Sequence, residues 1–302
     1  MALFLGIDGG GSKTVCAVGD ETRLLGSATT GGSNIIRVGE DEARKNLQAG
    51  IQQACAAAHV RPFEIAGTCV GMAGASVRTV HDAVRQLVRE AVPGEVEVVG
   101  DMVIAMESAF AGEPGLIVMA GTGSIAFGRN QRGETARAGG WGFTISDEGS
   151  GHWIGRAAVA GVMRARDRGQ KTMLEAEILQ SWKLSALDEV VRVANTAPDF
   201  SALFPRVLEA ADQGDALAVE ILGDAAAELV QLAGIVVERL WKPDESVRAA
   251  MGGNVFRHAE LVREKFCTWL QATHPTVAVD LTPAEPVQGA LWRARQLAQG
   301  KA

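Results

Sequence analysis

Short apolar runs rich in β-branched and aliphatic residues dominate the first third of the chain, separated by glycine and polar residues. Their length and composition predict strands, and the longer stretches between them predict helices. The elements predicted here are strands over about 3–8, 14–19, 23–29, 66–71 and 96–99 and helices over about 40–58, 77–91 and from about 104. A meander of three strands followed by strand–helix units predicts a mixed sheet.

The rest of the chain repeats this order. The elements predicted here are strands over about 115–120, 125–129, 134–138, 247–251 and 277–280 and helices over about 151–167, 172–241, 257–272 and after Pro286. A chain of 302 residues can bury a large core and is long enough for two domains. We place them at residues 1–112 and 113–285, with a C-terminal helix over 286–302 that can pack back on the first.

A glycine-rich turn separates the first two predicted strands, Asp8-Gly9-Gly10-Gly11-Ser12-Lys13-Thr14. It is not a P-loop, since serine stands where that motif needs lysine, and it lacks the last glycine of the dinucleotide motif. Both motifs also lead into a helix, whereas an apolar strand follows here. The turn therefore lies at the tip of a hairpin, where its backbone N–H groups can bind an anion. Glycine permits close approach and positive φ; an ordinary hairpin is the alternative.

The same pattern recurs over residues 115–128, where Ser124 follows Ser12 by 112 residues. A duplicated unit with two phosphate-binding turns facing each other is therefore expected. A third glycine signal, Gly252-Gly253-Asn254, follows a predicted strand and precedes a helical stretch. Asp8 ends the first strand with a carboxylate suited to Mg²⁺, which prefers oxygen ligands and keeps much of its water.

Composition narrows the function classes. The net charge of −7 argues against nucleic acid as a partner. The four cysteines show no metal-ligand spacing, which predicts reduced, buried thiols in a cytoplasmic protein. The first residues form a strand rather than a signal peptide, and the most apolar helical stretch, 225–241, is too polar and short to span a membrane.

In these residues the chain resembles the N-acetylglucosamine kinase branch of the actin-like ATPase and sugar kinase superfamily. That branch also includes proteins similar to bacterial glucosamine kinases and to activator ATPases of acyl-CoA dehydratases. The resemblance covers essentially the whole chain and rests on the order of seven motifs: 8–14, Gly32-Ser33-Asn34, Gly100-Asp101, 121–124, 139–142, 146–151 and 252–254. It implies an α/β fold of two ribonuclease-H-like domains, with mixed sheets flanked by helices around a central cleft. The first domain would bind sugar and phosphate, and the second would bind nucleotide.

The resemblance assigns the general base to Asp101. A kinase acting on an alcohol needs a carboxylate that accepts the hydroxyl proton while the phosphoryl group moves. Asp101 follows a short strand at the carboxyl edge of the sheet, where clefts form. Its alternative role is to cap the helix beginning near Met102.

The sugar would be bound by Asn34 and Asp147, whose amide and carboxylate groups suit vicinal hydroxyls. Gly140, Trp141 and Gly142 resemble the loop that receives an N-acetyl group, with the indole as an apolar wall. The alternatives are a turn residue for Asn34, a helix N-cap for Asp147 and a core tryptophan for Trp141.

ATP with Mg²⁺ is the implied cofactor pair, with Asp8 near the metal. The implied nucleotide contacts are Gly10, Gly11, Ser12, Lys13, Thr14, Thr122, Gly123, Ser124, Gly252, Gly253 and Asn254. Thr122, Gly123 and Ser124 would bind the β- or γ-phosphate, and Gly252 and Gly253 would line the adenine. Asn254 would contact the adenosine or cap the next helix.

The expected reaction is ATP-dependent phosphorylation of the 6-hydroxyl of an amino sugar, N-acetylglucosamine in the first place. Glucosamine is the alternative acceptor. Alternatives of another class are a dehydratase-activating ATPase with an iron–sulfur cluster and a non-catalytic sugar sensor. The resemblance also implies a homodimer.

Overall fold

The computed structural model describes residues 2–75, 77–196, 198–297 and 300. The chain divides into two compact units, unit 1 with Met1–Glu113 and Ala284–Ala302 and unit 2 with Pro114–Pro283. Each unit has a five-stranded mixed sheet flanked by helices, so the predicted α/β class is confirmed.

Unit 1 is built on a sheet with the strand order β3-β2-β1-β4-β5. Its strands are β1 (Leu3–Gly9), β2 (Lys13–Gly19), β3 (Leu24–Gly31), β4 (Ile65–Met72) and β5 (Glu95–Val99). Its helices are α1 (Ile35–Val38), α2 (Glu40–Ala57), α3 (Arg78–Arg89), α4 (Asp101–Phe110) and the C-terminal α12 (Pro286–Leu297), with a 3-10 helix at Pro62–Glu64. The strands β1, β2 and β3 are antiparallel neighbours, whereas β1, β4 and β5 run parallel.

Unit 2 repeats this topology with the strand order β8-β7-β6-β9-β10. Its strands are β6 (Gly115–Ala120), β7 (Ser124–Arg129), β8 (Thr135–Gly139), β9 (Val247–Gly252) and β10 (Val277–Val279). Its helices are α5 (Gly151–Asp167), α6 (Leu174–Trp182), α7 (Leu187–Ala194), α8 (Phe204–Asp212), α9 (Ala216–Leu240), α10 (Asn254–His258) and α11 (Glu260–Thr273), with a 3-10 helix at Phe200–Leu203. Antiparallel and parallel pairs fall at the same places in both sheets, so the predicted duplication is confirmed.

The two faces of the sheet in unit 1 follow from the strand period of two. On β1, Leu5 and Ile7 pack in the cluster that contains α2 and α3, whereas Phe4 packs with α4 and α12. Gly6 faces α12, because a Cβ placed there would lie 2.4 Å from the backbone nitrogen of Leu291. Only glycine allows the helix to approach the strand so closely.

The core of unit 2 is one continuous cluster over its sheet and helices. Helix α9 supplies its largest share, and Phe256 packs against Phe266 edge to face at 5.0 Å. All four cysteines are buried and free, as the sequence predicts. None of the helices among the described residues combines the length and apolarity that a membrane crossing requires.

Two predicted helix boundaries are wrong. The single helix expected over 257–272 is divided into α10 and α11, because Ala259 takes an extended conformation (φ −98°, ψ 91°) between them. Helix α4 begins at Asp101 rather than near residue 104. This second difference brings the predicted base into the first turn of the helix.

Candidate functional site

The glycine turn of unit 1 lies at the tip of the β1–β2 hairpin, as predicted. The Gly10 amide donates to the Lys13 carbonyl (3.0 Å), and the Gly10 carbonyl accepts from the Ser33 and Asn34 amides. The amides of Gly11 and Ser12 donate to no acceptor within the described part of the chain. Two adjacent N–H groups at a turn form the kind of concavity that binds an anion.

None of Gly9, Gly10 and Gly11 uses the positive φ that glycine permits. Space is the reason for glycine here. A Cβ on Gly10 would lie 2.8 Å from the Lys13 carbonyl oxygen, and one on Gly11 would lie 2.6 Å from Cδ of Arg37. The chain is therefore folded back on itself too tightly for side chains.

Two carboxylates lie near this turn. Asp8 is the second-to-last residue of β1, on the face of the sheet that carries α4 and α12, and burial raises its pKa from 3.8 to about 6. The negative charges of Asp101 and Glu285 raise that pKa further, while Lys13 opposes them. Burial also raises the pKa of Asp101. A cation would be stabilised beside these two buried carboxylates, because it would offset their negative charge.

Magnesium fits these residues in one specific way. No group of three histidine, cysteine or acidic residues that could hold a metal occurs among the described residues. A cation beside Asp8 would therefore keep water and phosphate oxygens as most of its ligands. Mg²⁺ commonly binds with few protein ligands in this manner.

Asp101 is the first residue of α4, and the N-cap position belongs to Gly100. The Asp101 Oδ1 accepts from the amide of the next residue, Met102, at 3.0 Å. An N-cap side chain instead accepts from the second or third amide of the helix. The capping alternative for Asp101 is therefore wrong, and its carboxylate keeps accepting capacity for another donor.

Asn34 does have a local structural role. It is the N-cap of α1, accepting from the Ile36 amide at 3.1 Å, and its Nδ2 donates to the Ala73 carbonyl at 3.4 Å. Asn34 is thus a helix N-cap rather than the turn residue of the alternative, while sugar binding by Asn34 stays a prediction. Thr14 is fully buried and donates to the Ser33 hydroxyl at 2.7 Å, whereas Lys13 is exposed at the start of β2.

The turn between β6 and β7 repeats the free amides of the first turn. The Gly121 amide donates to the Gly123 carbonyl at 2.8 Å. The amides of Thr122 and Gly123 find no acceptor among the residues that the structure describes. Ser124 is different, because it is buried, its hydroxyl donates to the Glu148 carbonyl at 2.6 Å and its amide donates to Asp147.

Asp147 lies against this second turn. A Cβ placed on Gly123 would lie 2.7 Å from Asp147 Oδ2, and the carboxylate accepts from the amides of Ser124 and Gly142. Burial raises the pKa of Asp147 in spite of these bonds. Its backbone is left-handed (φ 68°), which is costly for a residue other than glycine. The N-cap of α5 is Ser150, so the capping alternative for Asp147 is wrong.

Trp141 is 62% exposed, so the core alternative for it is wrong. The guanidinium of Arg137 lies over its ring, 4.1 Å from the centroid. The flanking Gly140 and Gly142 both have positive φ, and Gly140 packs closely on Ile125. Gly140 is thus closely packed, whereas the indole of Trp141 is exposed.

The third glycine signal lies beside the β6–β7 turn. Gly253 has φ 92°, and a Cβ there would lie 2.3 Å from the Ala120 carbonyl oxygen. Gly253 occupies the N-cap position of α10, and Asn254 is an exposed residue inside that helix. Helix capping by Asn254, one of its two expected roles, is therefore wrong.

The sequence analysis named Ser33 within a motif but gave it no role, and it missed Arg37 and Glu285. Ser33 holds Thr14, Glu285 acts on the pKa of Asp8, and Arg37 lies over Gly11. Of the two missed residues only Arg37 had a signal, since it follows the predicted sugar residue Asn34 by three positions, about one helical turn.

Comparison with known proteins agrees with this architecture. The chain is 32% identical to the N-acetylmuramic acid/N-acetylglucosamine kinase of Clostridium acetobutylicum, over 98% of this chain and 99% of that protein. It is 29% identical to the N-acetyl-D-glucosamine kinase of Dictyostelium discoideum, over 95% of this chain and 96% of that protein.

A solved structure of a candidate N-acetylglucosamine kinase from Chromobacterium violaceum matches with a TM-score of 0.77 at 23% identity, over 96% of this chain and 98% of that one. At this identity the match concerns the fold alone. The model of the BadF/BadG/BcrA/BcrD ATPase family matches residues 5–292, nearly the whole chain. The predicted resemblance is thereby confirmed, and the chain belongs to the BadF/BadG/BcrA/BcrD ATPase family.

Proposed function

We propose that this protein transfers the γ-phosphoryl group of ATP to the 6-hydroxyl of N-acetylglucosamine. The observation that carries the proposal is the buried Asp101 carboxylate near Asp8, in the unit whose glycine turn has two free amides. The names of the two relatives support the choice of an amino sugar as acceptor.

Asp101 acts as the general base. Its carboxylate accepts the proton of the 6-hydroxyl while the oxygen forms its bond to the γ-phosphorus and the bond to ADP breaks. Burial raises the pKa of Asp101, which makes its carboxylate a stronger base than an exposed one.

The turns hold the phosphates. The amides of Gly11 and Ser12 in unit 1 and of Thr122 and Gly123 in unit 2 donate to phosphate oxygens. Asp8, together with water, would hold Mg²⁺, whose positive charge would offset the negative charge of the phosphates. We assign Ser124 and Thr14 to support these turns, because their hydroxyls are already engaged in buried hydrogen bonds.

Asn34, Asp147 and the loop Gly140–Gly142 bind the sugar in this proposal. Arg137 bears on the choice between acetylated and free amino sugars. Its guanidinium lies on the Trp141 ring, so the ammonium of glucosamine near this ring would meet a like charge. A neutral acetamide would meet no such repulsion and could pack against the indole.

The first test is an ADP-release assay with Mg-ATP and N-acetylglucosamine, glucosamine, N-acetylmannosamine or glucose. We expect the strongest turnover with N-acetylglucosamine. Preference for glucosamine would overturn the acetyl assignment of the Trp141 loop. Binding of ATP without turnover of any sugar would overturn the kinase proposal and favour an activator or sensor.

The role of Asp101 is tested with Asp101→Asn, which keeps the shape of the side chain and removes the base. We expect turnover to fall by about 10²–10⁴, the usual effect of losing a general base, with ATP affinity largely kept. The exposed Asp82, changed to Asn, is the matched control in unit 1. Near-normal turnover by Asp101→Asn would exclude the assignment.

We also propose a cytoplasmic homodimer, in line with the resemblance. Light scattering during gel filtration would then give about twice the 31.7 kDa of one chain. A mass of one chain at assay concentration would contradict the dimer.

A further inference from the structure

Arg37 lies in α1 with its side chain folded over the glycine turn of unit 1. A Cβ placed on Gly11 would be 2.6 Å from Cδ, 3.2 Å from Nη1 and 3.4 Å from Nε of Arg37. The side chain therefore covers the residue whose amide, with that of Ser12, has no acceptor among the described residues. The guanidinium and these two N–H groups are neighbours in the same small region.

Arg37 has no ion-pair or side-chain hydrogen-bond partner within the described residues, although unit 1 carries many acidic side chains. Arg37 is exposed, so its charged group is accessible to a ligand. The backbone of α1 fixes its origin, since the Arg37 amide donates to the Asn34 carbonyl at 2.9 Å. The backbone of Arg37 is thus held in α1, whereas its guanidinium has no hydrogen-bond or ion-pair partner among the described residues.

We propose that Arg37 binds the terminal phosphate of ATP at the Gly10–Lys13 turn, a role that rests on the proposed function. Guanidinium presents a planar fork of donors that matches two phosphate oxygens, and it stays charged at any working pH. Together with the Gly11 and Ser12 amides it completes a set of donors around one anion. Gly11 must then be glycine, because a side chain would occupy the place of the Arg37 stem.

The phosphate is favoured over a carboxylate of the acceptor because the guanidinium lies over the turn itself. Arg37 is also one helical turn from Asn34, which the proposed function places at the sugar. An acceptor that carries a carboxylate, such as N-acetylmuramic acid, could reach the same cation. The experiment therefore has separate arms for the nucleotide and for an acidic acceptor.

The decisive measurement is the affinity for the nonhydrolysable ATP analogue AMPPNP with Mg²⁺ and for AMP, by calorimetry without sugar. Arg37→Ala should weaken AMPPNP binding by about 10- to 100-fold, the usual effect of losing a charge-assisted hydrogen bond, and leave AMP unchanged. Arg37→Lys should lie between, since lysine keeps the charge and loses the fork.

Arg89→Ala is the matched control. Arg89 is also exposed and has no ion-pair partner among the described residues. It is the last residue of α3 and lies at the edge of the sheet where the parallel strands β4 and β5 begin. Its loss should change neither affinity. Equal AMPPNP affinity of Arg37→Ala and wild type would overturn the proposal, as would an equal loss for AMPPNP and AMP.

The acceptor arm compares turnover of N-acetylglucosamine and N-acetylmuramic acid by Arg37→Ala. Selective loss of N-acetylmuramic acid turnover with unchanged AMPPNP affinity would overturn the phosphate role and assign Arg37 to the acceptor carboxylate. Because the binding arm needs no sugar, an inactive wild type would contradict the proposed function alone. Loss of AMPPNP affinity in Arg37→Ala would still support the inference.

Discussion

At the scale of single residues, Asp8 and Asp101 combine burial with like charge. The pKa of Asp8, raised to about 6, means that the folded protein holds this proton more tightly than the unfolded chain does. The same surroundings that make Asp8 an unfavourable free carboxylate make it a favourable partner for a cation. Function and stability therefore conflict at this position.

The conflict predicts a pH-dependent effect of Asp8→Asn on stability. Between pH 3.8 and about 6 the unfolded chain loses the Asp8 proton while the folded protein keeps it, so rising pH lowers stability. By pH 7.5 the cost is at most about 3 kcal/mol. Asp8→Asn removes it, and its Tm should exceed that of wild type at pH 7.5 and approach it near pH 4.

Thermal unfolding without Mg²⁺ at both pH values measures this difference, with Asp82→Asn as the exposed control. A Tm of Asp8→Asn below that of wild type at pH 7.5 would show that the carboxylate stabilises the apoprotein instead. Added Mg²⁺ should raise the Tm of wild type more than that of Asp8→Asn, because ligand binding stabilises the folded state.

The buried hydroxyl of Ser124 has a different role in our proposal from the free amides of its turn. Ser124→Ala leaves the Glu148 carbonyl without this donor, and we expect unfolding free energy to fall by about 1 kcal/mol. The affinity for ATP should change little. Chemical denaturation and nucleotide titration check the two parts, and a large loss of affinity with unchanged stability would return Ser124 to the phosphate.

At the scale of elements, the hairpins could be predicted because strand, turn and strand are adjacent in sequence. The apolar runs on both sides and the glycines at the tip are local signals, and they were sufficient for β1 and β2. The contact between Asp147 and the turn at Gly123 was not predictable in this way. It joins segments 24 residues apart through a left-handed backbone that no local pattern signals.

The same distinction explains the capping alternatives. Sequence offers any aspartate, asparagine or serine before a helix as a cap, and only the structure shows which side chain reaches the amides. Ser150 and Asn34 do so, whereas Asp101 and Asp147 do not. Glycines were recognised as necessary, but their reason at the first turn was lack of space rather than φ.

Helices α12 and α4 cross so closely at Gly289 that adding one methyl group there should lower the stability of the protein. A Cβ on Gly289 would lie 1.8 Å from the Ile104 carbonyl oxygen, so Gly289→Ala must separate the two helices. We expect a loss of about 3 kcal/mol in unfolding free energy, although alanine favours an isolated helix. Urea unfolding measures it.

Gln288→Ala, at the exposed neighbouring position of the same helix, is the control and should be nearly neutral. A Gly289→Ala protein as stable as wild type would mean that α12 shifts along α4 without cost. In that case the close crossing would not hold unit 1 together.

At the scale of the whole molecule, unit 1 is discontinuous, since α12 returns from the far end of the chain to complete it. This helix buries Leu291, Ala290 and Ala294 against the face of the sheet that includes Phe4. The paired side chains of Arg293 and Glu97 add a polar contact at the same interface. Unit 2 is formed from one continuous stretch.

Removal of residues 284–302 should therefore affect the two units unequally. The sheet face at Phe4 and Ala17 would lose its cover, and apolar surface would be exposed. We expect amides of β1 and β4 to lose hydrogen-exchange protection by orders of magnitude, while those of β6 and α9 keep most of theirs. Unchanged protection in β1 would show that α12 is dispensable for unit 1.

The discontinuity of unit 1 also has a consequence during translation. The ribosome releases β1 to β5 early, but α12 emerges only after all of unit 2. At roughly 5–20 residues per second, the interval from residue 113 to the end of the chain lasts about 10–40 s. Throughout this time the nascent sheet presents an uncovered apolar face, a binding target for chaperones, while unit 2 can already complete its core. Unit 1 is thus synthesised first but completes its fold last.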